Sequence, residues 1–144
     1  MNKISKTIRD YLLQEKYLIE DSNDENTIIR FQNQLISIFP DPGKNCICSV
    51  CLPIFLDSMP LQNEKLQMIC NTIMASQTKV KTILVENAII IRYDFIWQNT
   101  EILQSQIKQG IEQVVATKEQ IVNAARLAYH TMSNQKEEEY VKEQ

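Results

Sequence analysis

The chain has 144 residues, a net charge of −3 and an isoelectric point near 5.2. That length fits one domain that buries roughly two thirds of its unfolded surface, so neither metal, cofactor nor disulfide is needed to hold it. No basic run supplies the phosphate-neutralising charge that nucleic-acid binding needs, and Lys79, Lys81 and Arg92 are the nearest approach to one.

In chain order, Ile4, Ile8, Tyr11, Leu12, Leu18 and Ile19 recur at helical spacing and predict a first helix that ends before the polar cluster 21–24. Two β-rich runs follow, 27–32 and 35–39, around an Asn at position 33 that suits a tight turn. The segment 40–45 is the strongest turn signal in the chain and leads into a third strand from Cys46 towards Leu56. Its even positions Cys46, Cys48, Val50, Leu52, Ile54 and Leu56 are all apolar, which assigns that face to the core. Pro53 cannot donate a ladder hydrogen bond, so the second half of this strand is expected at an edge or a bulge.

Ser58, with Pro60 in the first turn, predicts the start of a second helix with Leu66, Ile69, Cys70 and Ile73 on one face, ending near Ser76 and Gln77. The runs 79–85 and 88–97 predict a hairpin closed by Glu86-Asn87, with Leu84 facing Ile89, Thr82 facing Ile91 and Val80 facing Tyr93. Phe95 and Trp97 continue the core face. From about Thr100 one helical pattern runs through Leu103, Ile107, Ile111, Val114, Ile121, Ala125 and Met132. It overhangs the sheet or breaks near Gly110 or Ala116-Thr117. The expected fold class is α+β, an antiparallel five-stranded sheet in the order α-β-β-β-α-β-β-α with helices mainly on one face. Residues 1–133 form one domain, and 134–144 a charged, frayed tail.

No catalytic constellation emerges, so the protein is expected not to be an enzyme. His130 is the lone histidine, with no neighbouring nucleophile or orienting group, and reads as a helix-surface residue. Glu137, Glu138 and Glu139 read as a solvated charge run. Cys46, Cys48 and Cys51 with Cys70 superficially suggest a four-thiolate metal site. On a strand, however, period two sends Cys46 and Cys48 to one face and Cys51 to the other, which favours small buried hydrophobes. A thiol- or metal-dependent role of this cluster is the alternative. The other face of the last hairpin carries Ile83, Val85, Ala88 and Ile90 where water is expected. Either these residues form a partner or dimer surface, or a helix covers them in a three-layer fold.

The element order resembles the type III secretion chaperone-like fold, including the YbjN-like bacterial proteins. The stretch Ile69-Cys70-Asn71-Thr72-Ile73-Met74 looks like that family's helix with an internal Asn, and 79–91 like its fourth and fifth strands. The likeness extends over about residues 4–130. It implies a non-catalytic, often dimeric protein-binding module, whose partner is itself and a cargo or regulatory protein. Together with the absence of a signal peptide and of any apolar stretch near 18 residues, it points to the cytoplasm, away from membranes.

Overall fold

The computed structural model describes residues 2–41, 43, 46–76 and 79–143, the last of these (136–143) as backbone only. The expected turn residues Pro42, Lys44 and Asn45, and Gln77 at the expected end of the second helix, lie outside the described residues. The elements are α1 (Lys3–Gln14), β1 (Leu18–Ser22), β2 (Thr27–Phe31), β3 (Gln34–Pro40), β4 (Ile47–Phe55), α2 (Asn63–Met74), β5 (Val80–Val85), β6 (Ala88–Ile96) and α3 (Thr100–Glu143). The six strands form one sheet in the order β1-β2-β3-β4-β6-β5, with every neighbour antiparallel. The fold is α+β as expected, with one strand more.

The extra strand comes from the end of α1. Asn2 caps its start, accepting from the Ser5 amide at 2.9 Å. The helix then closes at Gln14, five residues before the apolar pattern ends at Ile19. Lys16 takes the left-handed conformation with φ 63°. Its amide donates to the Leu13 carbonyl, and the Tyr17 amide donates to Leu12 at 2.9 Å. Those two bonds are a Schellman closure, usually made with glycine. Leu18 and Ile19, placed in the first helix by spacing, instead pair with Arg30 and Ile29 as β1. Gln32 and Asn33, both with positive φ, make the two-residue turn between β2 and β3.

On one face of the sheet the side chains of Ile36, Ile38, Cys48, Val50, Leu52, Ile54, Ile91 and Tyr93 are sealed from solvent. Helix α1 lies against β1, β2 and β3, α3 against β4 and β6, and α2 against β5 and α3. Cys46 departs from the expected core row: it precedes β4 and is exposed. Leu56 lies in a 3-10 turn, Leu56–Ser58. Ser58 does not cap α2. Its hydroxyl donates back to the Phe55 carbonyl at 2.6 Å, and the helix begins after Gln62. The hairpin of β5 and β6 has the expected register, Val80 with Tyr93, Thr82 with Ile91 and Leu84 with Ile89.

Helix α3 runs unbroken for 44 residues, roughly 66 Å at 1.5 Å per residue. Asn99 rather than Thr100 caps it, its side chain accepting from the Ile102 amide. Gly110 is not a break. A Cβ there would meet Tyr93 Cδ1 at 2.8 Å and Val50 Cγ2 at 2.9 Å. Glycine therefore lets the helix backbone settle directly onto the sheet, where any side chain would hold it off. The backbone stays helical through the expected tail to Glu143.

Candidate functional site

All three helices pack on the same face of the sheet, so the second face is open. A three-layer arrangement is not formed by the described residues. Strand alternation puts Leu35, Phe55, Ile83, Val85 and Ile96 on the open face, each between 44% and 59% exposed. The registers set these residues in rows. Ile83 lies beside Ile90, which lies beside Pro53. Val85 lies beside Ala88, which lies beside Phe55.

The four residues singled out by sequence therefore sit together on two adjoining strands. Ile83 and Val85 are exposed, Ile90 is half-buried, and Ala88 is buried at 5%. Ala88 is a floor rather than a contact residue, because the larger Val85 and Phe55 flank it. Phe55, Pro53 and Leu35 belong to the same surface and were missed. The alternation of the β4 run was available in the sequence, but its odd positions, Cys51 to Phe55, were not read as a face of their own.

Edge strand β5 adds to this surface. Leu84, on the helix side, is still 45% exposed, so Ile83, Leu84 and Val85 are three consecutive exposed apolar residues. The opposite edge is different. Strand β1 is interrupted by a bulge between Ile19 and Asp21 and carries exposed Glu20 and Asp21. Bulges and charges at an edge discourage further strand pairing. On β5 the single charge is Lys81.

A polar network divides the open face. Arg92 donates from Nε to Asp94 at 2.7 Å and from Nη2 to the Ser49 hydroxyl at 3.0 Å. Ser49 donates in turn to Asp94 at 2.6 Å. The guanidinium stands 5.7 Å from the Phe39 ring centre. Ser49 is fully buried under these groups. The hydrogen bond that Arg92 donates to Asp94 pushes the Arg92 pKa up despite partial burial. The arrangement holds a charged group in a fixed pose between apolar rows, which supplies orientation rather than acid–base chemistry.

The thiols do not converge. Cys48 is in the core, Cys51 on the open face, Cys70 inside α2, and Cys46 exposed ahead of β4. Burial raises the Cys48 pKa to about 11, and burial likewise raises Cys51 to about 11 against the pull of Arg92. Burial also pushes the Cys70 thiol up. These three thiols are protonated at neutral pH, the opposite of an activated nucleophile. Among the described residues no group of three His, Cys, Asp or Glu side chains is placed to hold a metal ion. His130 is exposed on α3 beside Tyr129. No helix among the described residues is long and apolar enough to cross a membrane.

No protein-family model matches the sequence, and no curated protein is detectably similar to it. Solved structures share the fold. YbjN from E. coli, proposed as a transcription regulator, superposes with a TM-score of 0.66 at 15% identity, over 83% of this chain and 89% of that one. An uncharacterised protein from Methanothermobacter thermautotrophicus gives 0.61 at 15% identity, over 88% of this chain and 99% of that one. The chain has a YbjN-like fold, and at this identity the likeness concerns fold alone.

Proposed function

We propose that this protein is a non-catalytic protein-binding module, chaperone-like in manner, that works as a homodimer in the cytoplasm. The observation that carries this reading is the uncovered apolar surface formed by Ile83 and Val85 on edge β5, with Phe55 in the same row on β4 and Leu84 exposed at the edge between them. Contiguous exposed apolar side chains on a helix-free sheet face are the usual mark of a partner surface. An unblunted edge strand adds backbone hydrogen bonds to whatever pairs with it. The regulatory role proposed for YbjN fits a protein that acts through such contacts. The net charge of −3 favours a protein partner over nucleic acid. Raised thiol pKa values weigh against thiol chemistry as the main activity.

Light scattering coupled to size exclusion tests the reading. The wild type is expected at twice the monomer mass of 16.8 kDa. Ile83→Lys is expected to run as a monomer with an unchanged melting temperature. A wild type that stays monomeric at about 100 μM, near the weak end of specific association, would sink the dimer.

A further inference from the structure

We infer that the cleft between the β2–β3 turn and the middle of α3 is a binding site for a small carboxylate with a short apolar body. The cleft lies on the helix side of the sheet, away from the open face, and has a volume of about 360 Å³. It opens where the sheet splays. Strand β3 pairs with β4 only from Ser37–Cys51 to Pro40–Cys48. Beyond Cys51, β4 runs without a β3 partner. The Pro53 carbonyl accepts instead from Lys118 Nζ of α3, at 3.4 Å.

Lys118 is the centre of the site. It is half-buried, and Val115 and Val122 stand three and four residues away on the same side of α3. No carboxylate lies within ion-pair distance of it among the described residues. Burial alone lowers its pKa: the ammonium has lost water without gaining an anion. Arg126, two turns further along, lines the same cleft and has no ion pair among the described residues.

Across the cleft stand the amides of Gln32 and Gln34, neither engaged with another side chain among the described residues. Gln32 is held there by its positive φ of 51° in the two-residue turn. Glu119 also borders the cleft. Its charge offsets one of the two cations, and the net single positive charge suits a monoanion better than a phosphate dianion. Lys118 and Arg126 face the carboxylate, the glutamine amides donate to it, and Val115 and Val122 meet its hydrocarbon part.

The test is an NMR titration of the ¹⁵N-labelled protein at pH 7 and constant ionic strength. Isovalerate is the probe, with isovaleramide, inorganic phosphate and N-acetylvaline run alongside. Saturable shifts of the Gln32 and Gln34 side-chain amides with isovalerate are expected, with none from isovaleramide. Lys118→Met is expected to weaken binding at least ten-fold. Arg126→Gln, on an exposed position, is expected to weaken it several-fold and serves if Lys118→Met does not fold. N-acetylvaline binding more tightly than isovalerate would assign the carboxylate to a chain terminus, and the reverse order to a free acid. Unmoved amides, equal binding of isovaleramide, tighter binding of phosphate, or unchanged affinity in the folded variants would each overturn the site.

Discussion

The two faces of the sheet use the same strands and nearly the same residue types, yet their environments differ completely. On the helix side Leu52 and Ile91 are within 1% of complete burial, and α3 presses onto the neighbouring Val50 and Tyr93 through Gly110. On the open side Ile83 and Phe55 are among the most exposed apolar residues of the sheet. Hydrophobicity therefore does not distinguish core from surface in this chain. What distinguishes them is whether a helix arrives. The open face also contains the charged Arg92–Asp94–Ser49 network, whereas on the covered face of the same strands the polar contact is uncharged, the Tyr93 hydroxyl meeting the side-chain oxygens of Gln106 and Gln109. A face that served only to fill space would not need an oriented charge. A face that meets a partner can use one to set the pose.

Substitutions on the two faces should separate cleanly by size. Leu52→Ala, in the fully packed face, is expected to cost about 2–5 kcal/mol in urea unfolding. If it costs under about 1 kcal/mol, the covered face is not the tight core described above. Gly110→Ala should gain about 1 kcal/mol from helix propensity. It should lose more, about 1–3 kcal/mol, because Val50 and Tyr93 have no room to retreat. A net stabilisation would mean that α3 stands further from the sheet.

On the open face, Arg92→Met removes one partner from Ser49 and Asp94. With side-chain exposures of 27% and 34% for Arg92 and Asp94, solvent takes up part of the loss. About 1 kcal/mol is expected, read from the same unfolding curves.

The thiols give a test by pH. The folded pKa of Cys48 and Cys51 is raised from 9.0 to about 11. The stability this represents is full below pH 9 and is lost as the pH climbs towards 11, because the unfolded chain ionises first. Native alkylation should accordingly mark Cys46 well before Cys48 or Cys51 at pH 8, with all of them levelling in denaturant. Rapid labelling of Cys51 would revive a thiol-based function. Ile83→Lys should change stability least, within about 0.5 kcal/mol, while abolishing self-association. A large loss of stability would show that the open face belongs to the core after all.

Much of this molecule was decided locally and was therefore readable from the chain. Period-two alternation and a two-residue link were enough to define the β5–β6 register. The Cys48-to-Ile54 row read as core, and Ile83 and Ile90 read as neighbours on the other face. Pro53 correctly marked where β4 runs without a β3 partner, because a missing amide is a property of the residue itself. Other features needed the whole fold. Lys16 ends α1 in a left-handed conformation that no lysine advertises, and the choice between helix and strand for Leu18 and Ile19 rested on pairing with β2. Gly110 reads as a weak point in a helix until Val50 and Tyr93 are found beneath it. Ala88 reads as surface until Phe55 and Val85 close around it. Above all, an apolar second face is equally compatible with a covering helix and with none. Helix placement depends on contacts far apart in the chain, and only the tertiary structure put α1, α2 and α3 on one side and left Ile83, Val85 and Phe55 in the open.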